Sequence, residues 1–301
     1  MVELNYNTTN TSTSNISNTS NTNTSNKSIS NDSINNVLTI KTVQIAPFRI
    51  LMTALKDILL DTNIIFTKEG IKIINMDKTH TILVHLFLKA ENFEFYECKY
   101  DKIIIGVNMF HLFKLITSID NDDTLTIYIE NEDYIDGVVS ELGLKFENGS
   151  IKQSKIQKLT LIEPETEQLE IPDVYYSSII NMPSSDFQKI IRDLANISDK
   201  LEIKSVGDEL IFKCIGQYAK AEIRRSESVG SNSMHFVQKE NNNEIIQGEF
   251  SLKNLVYFIK CTNLCSQIEI FLKNNKPLIV KYNVASLGEI KLCLACLPPN
   301  N

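Results

Sequence analysis

The sequence predicts an α+β fold built from two similar domains, each with two helices packed on antiparallel sheet. Three observations predict it. Apolar residues recur at helical spacing in four stretches, residues 47–60, 108–119, 184–197 and 251–265. Short runs of alternating apolar and polar residues lie between them, at 70–76, 82–89, 124–130, 201–204, 209–214, 267–272 and 278–282. The order helix, strands, helix, strands then occurs twice: Phe48-Arg49-Ile50-Leu51 and Leu55-Lys56-Asp57 open one half, and Phe187-Gln188-Lys189-Ile190 and Arg192-Asp193-Leu194 open the other about 140 residues later. A chain of 301 residues is long enough for two domains.

Taken in order, residues 1–36 are almost entirely Asn, Ser and Thr from Asn5 onward, a composition that cannot offset its ordering entropy, so a disordered tail is expected. The first domain is expected over 37–162. Lys68-Glu69-Gly70 and Asn121-Asp122-Asp123 mark turns within it. Residues 163–173 hold Pro164, Pro172 and five carboxylates, which reads as an extended, solvated connector. The second domain is expected over 174–301. Pro183-Ser184-Ser185-Asp186 reads as a helix start, with Ser184 or Ser185 as cap and Asp186 in the positive first turn. Gly207-Asp208 and Asn274-Asn275 mark further turns, and 226–246 reads as a polar insertion.

Composition narrows the function. Hydrophobic residues are 43% and charged residues 22%, ordinary for a protein with a real core. Thirty Lys and Arg against 37 Asp and Glu leave a formal charge of −7, which excludes holding nucleic acid by bulk positive charge. No apolar run reaches the roughly 18–20 residues of a membrane span, and the N-terminus lacks the pattern of a secretion signal. An intracellular protein with six reduced thiols is therefore expected, without membrane contact. Cys261/Cys265 and Cys293/Cys296 superficially suggest four-thiolate zinc, but one pair falls on a helix and the other on a terminal strand, where buried thiols are the expected state. His80, His85, His111 and His235 are scattered, and there is no Gly-rich phosphate loop or nucleophile motif. Asp77 and His80 look like a dyad but belong to a turn, where hydrogen bonds that stabilise the turn are expected. No enzyme, cofactor or metal is expected.

The helices carry their charge unevenly. Arg49 and Lys56, like Lys253 and Lys260, are seven residues apart, within about 20° of one another on an α-helix. Lys189 and Arg192 share a face, as do His111 and Lys114. Leu51, Leu55, Ile58, Leu112, Leu115, Phe187, Ile190, Leu194, Leu255 and Phe258 occupy the opposite, apolar sides. Two readings fit this pattern. Either the lysines are simply solvated, or all four helices turn toward one polyanion.

Several motifs are familiar. Thr53-Ala54-Leu55-Lys56-Asp57, Asn75-Met76-Asp77-Lys78-Thr79-His80, Gly106-Val107-Asn108, Glu167-Gln168-Leu169-Glu170-Ile171-Pro172, the 182–194 segment, Lys276-Pro277-Leu278-Ile279-Val280-Lys281-Tyr282 and Leu287-Gly288 resemble the proliferating cell nuclear antigen family, the sliding clamps of eukaryotes, archaea and large DNA viruses. The resemblance covers nearly everything from Val37 to about Leu294. It implies the DNA clamp fold, with three chains in a ring of six domains whose helices line the hole. Arg49, Lys56, Lys114, Lys189, Arg192, Lys253 and Lys260 would then face encircled duplex DNA. Phosphate contacts of this kind are independent of sequence and sensitive to salt. Retention on DNA comes from topology, which makes rebinding of a polymerase effectively intramolecular.

The resemblance also implies sites. Ring closure would join an edge strand containing Lys155, Ile156, Lys158, Leu159 and Leu161 to one at 216–225 containing Gly216, Tyr218, Ala221 and Ile223, the alternative being that both are internal strands. A head-to-tail homotrimer follows from such pairing. Polymerase, clamp loader and other partners would insert a short peptide beneath the connector, against Met76, Leu83, Leu169, Ile171, Pro172, Pro277 and Ala295. Cys293-Leu294-Ala295-Cys296 stands where the family usually has Tyr before Leu-Ala-Pro, which alters one pocket wall. The family's modification-site lysine falls near Gly207-Asp208, so regulation through it is not expected. The expected function is a polymerase processivity factor of replication and repair, in the nucleus or at an intracellular viral replication site. A checkpoint-type clamp subunit, or one member of a heteromeric ring, is the alternative within the same fold.

Overall fold

The computed structural model describes residues 35–166, 169, 174–230, 233–241 and 243–298. The expected tail lies outside them except for Asn35 and Asn36, and Asn36 already begins a strand and is buried. The first half runs β1 (Asn36–Thr42), α1 (Ile45–Ile58), β2 (Asp61–Thr67), β3 (Gly70–Met76), β4 (Ile82–Lys89), β5 (Phe95–Cys98) and β6 (Lys102–Asn108). It continues with α2 (Met109–Ile116), β7 (Thr124–Glu130), β8 (Tyr134–Ile135), β9 (Val138–Val139), β10 (Glu141–Asn148) and β11 (Gln153–Thr160). The second half runs β12 (Ser178–Pro183), α3 (Ser184–Ala195), β13 (Lys200–Val206), β14 (Glu209–Ile215), β15 (Lys220–Ser226), β16 (His235–Lys239) and β17 (Ile246–Ser251). It ends with α4 (Leu252–Phe258), β18 (Gln267–Leu272), β19 (Leu278–Val284) and β20 (Gly288–Leu294).

Without the β8–β9 hairpin the halves correspond strand for strand. β1 pairs with β5 and β7 as β12 pairs with β16 and β18. β10 pairs with β7 and β11 as β19 pairs with β18 and β20. β2 pairs with β3 and β6 as β13 pairs with β14 and β17. Residues 226–246 are thus no mere insertion: they contain β16, the counterpart of β5. One ladder joins the halves. β20 pairs antiparallel with β4 from Gly288↔Leu88 to Leu294↔Ile82, fusing two sheets into a nine-stranded sheet that spans both domains.

The helices pack on one side of these sheets, α1 beside α2 and against the segment 259–264, and α3 along α4. Their apolar faces are buried as expected, with Leu115 only half-buried. Asn108 caps α2 by accepting from the His111 amide at 3.1 Å, and Ser251 caps α4 by accepting from the Asn254 amide at 3.4 Å. The cap expected for α3 is a correction. Pro183 holds the cap position without a side-chain bond, and Ser184 is the first helical residue, its buried hydroxyl donating to the Cys265 carbonyl at 2.6 Å. The fourth helix is also shorter than its periodicity suggests: after Phe258 it tightens into a 3-10 segment, Ile259–Leu264.

Gly106 sits where the first domain runs out. The Ile162 amide donates to its carbonyl at 3.0 Å, and a Cβ on Gly106 would lie 2.5 Å from the Ile162 oxygen and 2.8 Å from the Glu163 oxygen. Backbone crosses backbone here, so neither side yields cheaply. Gly106→Ala is expected to cost about 1–3 kcal/mol and to speed proteolysis at 162–166. Thermal unfolding with limited digestion checks both.

Candidate DNA-facing helix layer, peptide surface and strand edges

The four helices with the 259–264 segment carry seven cations against three carboxylates, in a chain whose formal charge is −7. The seven differ in freedom. Lys114, Lys189, Arg192 and Lys253 are exposed. Lys114 stands over the Phe110 ring at 4.5 Å, and Lys253 makes a solvent-exposed pair with Asp199 at 3.3 Å, which contributes little. Arg49 and Lys56 are half-buried toward α2. The Arg49 guanidinium donates to the Ile119 carbonyl at 3.0 Å and to Asn121 Oδ1, while Lys56 lies 4.7 Å from the Phe113 ring centroid and 2.7 Å from Asp57. Lys260 falls in the 3-10 segment rather than two α-turns after Lys253. It pairs across the domain boundary with Asp57 of α1. Burial raises the Asp57 pKa, but hydrogen bonds from Lys260 and Lys56 outweigh it and hold the carboxyl below its ordinary 3.8.

On the outer face of the nine-stranded sheet, register builds an apolar row. Met76 opposes Leu83, Leu83 opposes Cys293, Cys293 opposes Ile279, Ile279 opposes Phe271 and Phe271 opposes Ile179. Paired residues share a face, and their neighbours Ile82, Leu294 and Leu278 point into the core with at most 1% exposure. Leu169 and Met76 also line a shallow pocket of about 300 Å³ with Leu60, Asp61, Asn75, Asp77, Lys78, His80 and Glu165. Pro277 and Ala295 are exposed just beyond the ends of β19 and β20, and alternation puts them on the row's face. Ile171 and Pro172 lie outside the described residues. Two residues along, the next row is charged: Lys281 binds Glu269 at 3.1 Å and Glu289 at 3.4 Å, and Lys291 binds Glu289 at 3.0 Å. Ile279, Phe271 and Ile179 were missed by the sequence reading. Their signal is alternation, but only strand pairing shows that they continue the Met76–Leu83 row.

Among the described residues β11 pairs only with β10, and β15 only with β14, so each lies at the edge of its sheet. On β11, Lys155 bonds Ser118 at 2.8 Å, Leu159 is buried, Leu161 just beyond it is half-buried, and Ile156 is exposed. Lys158 donates to Glu130 at 2.7 Å and Asp133 at 3.2 Å, with Glu141 at 3.5 Å. These bonds, led by that to Glu130, raise its pKa. On β15, Ala221 and Ile223 are half-buried. Gly216 and Tyr218 precede the strand, in the turn from β14, so that edge begins at Lys220.

Asp77 holds its turn, accepting from the amides of Thr79 at 3.1 Å, Thr81 at 2.8 Å and Ile82 at 2.6 Å. His80, at φ 55°, supplies the left-handed residue of that turn. Burial pushes the Cys261 thiol up to about 12 and the Cys293 thiol up to about 11, which favours the protonated form at neutral pH.

Fold, helix layer and the two free strand edges together define a two-domain clamp. Residues 37–168 match the family described as "Proliferating cell nuclear antigen, N-terminal domain", and residues 170–297 match its "C-terminal domain" counterpart. The chain is 34% identical over 262 residues, 85% of its length and 95% of the relative's, to "Probable DNA polymerase sliding clamp 1" of Paramecium bursaria Chlorella virus 1. It is 30% identical over 232 residues, 77% of its length and 48% of the relative's, to "Probable DNA polymerase sliding clamp" of Acanthamoeba polyphaga mimivirus. The chain belongs to the proliferating cell nuclear antigen family, whose members are processivity factors rather than enzymes.

The Lys56–Asp57–Lys260 cluster makes a signed prediction. A carboxyl whose folded-state pKa is depressed contributes stability above its unfolded pKa and loses it as pH falls through the folded value. Asp57→Asn should therefore lower stability by about 0.5–1 kcal/mol near pH 7. The difference from wild type should close as pH falls below 3.8. Urea unfolding across that range checks it.

Proposed function

We propose that this chain is a DNA sliding clamp that closes head-to-tail as a homotrimer, encircles duplex DNA and tethers a polymerase to it. One observation carries the reading. Within the chain β20 pairs with β4, and their counterparts by the internal repeat, β11 and β15, are unpaired edges on opposite domains. One chain uses the junction once and leaves its two halves free, so copies can repeat it until a ring closes. The helix layer supports the interior: Lys114, Lys189, Arg192 and Lys253 would meet phosphates without fixing a register, and no base-reading contact is needed.

The outer apolar row takes a partner peptide. Polymerase, clamp loader and repair factors would dock apolar anchors on Met76, Leu83, Leu169, Cys293, Pro277 and Ala295; the expected contacts Ile171 and Pro172 lie outside the described residues. Cys293 leaves more room than the tyrosine common in the family, which favours a larger anchor at that wall. Both relatives come from large DNA viruses, which favours an intracellular viral replication site over a nuclear one.

Loading on a nicked circular duplex tests the encirclement. The protein should stay bound through high salt on the circle and slide off once the circle is cut; equal loss from both forms would overturn it. Lys189→Ala with Arg192→Ala should reduce the magnitude of the log–log salt slope for duplex association by about 2. Leu83→Glu should weaken a glutamine–aliphatic–aromatic peptide by about tenfold or more, read by calorimetry, with the oligomer mass unchanged.

A further inference from the structure

Among the described residues, β8 and β9 are the strands of the first domain without a counterpart in the second. The connection from β7 to β10 spans 131–140, whereas that from β18 to β19 spans only 273–277. The extra residues form a tight hairpin, Tyr134↔Val139 and Ile135↔Val138, closed by Asp136 (φ 51°) and Gly137 (φ 86°) in the left-handed region that two-residue turns need. Its base is fixed: Val139 is buried, the Ser140 amide donates to the Asp133 carbonyl at 3.0 Å, and Tyr134 stacks on Tyr100 at 4.5 Å. Its tip is apolar and open, with Ile135 66% and Val138 64% exposed. Among the described residues nothing covers these two β-branched side chains.

The internal junction shows what lies opposite. At the end of β20 the Ala295 amide donates to the carbonyl of Thr81, in the β3–β4 turn, at 3.0 Å. There too the Cys296 thiol donates to the Lys276 carbonyl at 2.9 Å, which brings the β18–β19 connection up to the same place. Transferred by the repeat to β11 and a second copy's β15, the residues after β11 meet the β14–β15 turn. The Leu161 amide donates to the Ser140 carbonyl at 3.0 Å, so the hairpin stands beside those residues. The end of β14 and the turn after it expose two large apolar residues of their own, Ile215 at 58% and Tyr218 at 76%. Charge agrees as well. Glu130, Asp133 and Glu141 surround the single ammonium of Lys158 beneath the hairpin, and Lys220 at the start of β15 is exposed.

We propose that the β8–β9 hairpin is a second contact of the subunit junction, in which Ile135 and Val138 cover Ile215 and Tyr218 of a second copy of this chain. The inference rests on the head-to-tail ring proposed above and adds to it an apolar clasp outside the strand ladder. The clasp selects for copies of this chain, because only a partner with a matching apolar turn buries the hairpin tip.

The test is the oligomer mass of the full chain across concentration, by light scattering or sedimentation. Ile135→Lys with Val138→Lys should leave the monomer folded, since both side chains are exposed, and should raise the concentration for half-dissociation by about tenfold or more. Adding Ile215→Glu and Tyr218→Glu to that chain should recover part of the loss, because lysine then faces glutamate. Should the lysine variant unfold early, Ile135→Thr with Val138→Thr keeps strand propensity and carries the same expectation. A double lysine variant that dissociates like wild type overturns the hairpin contact while leaving the ring intact. A wild-type chain that stays monomeric at every concentration overturns both.

Discussion

The structure depends on one ladder, the antiparallel pairing of β20 with β4. Its seven residue pairs join sheets from different domains, so the two halves share one continuous surface rather than meeting at a linker. Because that sheet is continuous, the helices of both halves are held on one side, and α1 packs directly against the 259–264 segment. The same pairing aligns Leu83 with Cys293 on the other side and completes an apolar row that neither domain holds alone. It also consumes two of four equivalent strands. What remains, β11 and β15, is a matched pair of edges that a single chain has left unpaired.

Much of this was legible in the sequence, and the gaps follow from where the signal resides. Half-buried strands such as β4, β7 and β18 alternate cleanly, and their limits fall where the pattern places them. β1 is buried at six of its seven positions and β6 carries the run Ile103-Ile104-Ile105, so neither shows the period of a one-sided strand. Ser184 failed as a cap for a related reason. The helix begins at Ser184 itself, one residue after Pro183, and the Ser184 hydroxyl is turned to donate to the Cys265 carbonyl, a group distant in sequence that no local rule can see. The basic helix faces follow from residue spacing along each helix, whereas most of the expected 163–173 connector lies outside the described residues. The Met76–Ile179 row required knowing that β4 neighbours β20, which is a fact of register between domains. The hairpin showed only as excess length between β7 and β10, and its meaning came from comparing the two halves of the fold.

The charge pattern gains most from the structure. Seven cations on the helices look like a strong lining until their partners are counted. Arg49 is spent on the 119–121 loop, and Lys56 and Lys260 are spent on Asp57. Withdrawing either lysine to reach a phosphate would leave the partly buried Asp57 carboxylate short of a partner, which opposes the exchange. Lys253 gives up an exposed pair at little cost, and among the described residues Lys114, Lys189 and Arg192 carry no competing ion pair, which leaves four of the seven cations available. Each phosphate contact adds to the salt dependence of binding and to the barrier for moving along the duplex. A ring held by topology needs only enough attraction to keep the duplex centred, and beyond that more contacts slow it. In the ring proposed above, committing three of seven cations to the fold would serve both ends: the same residues brace α1 against its neighbours and would keep the lining weak enough to slide.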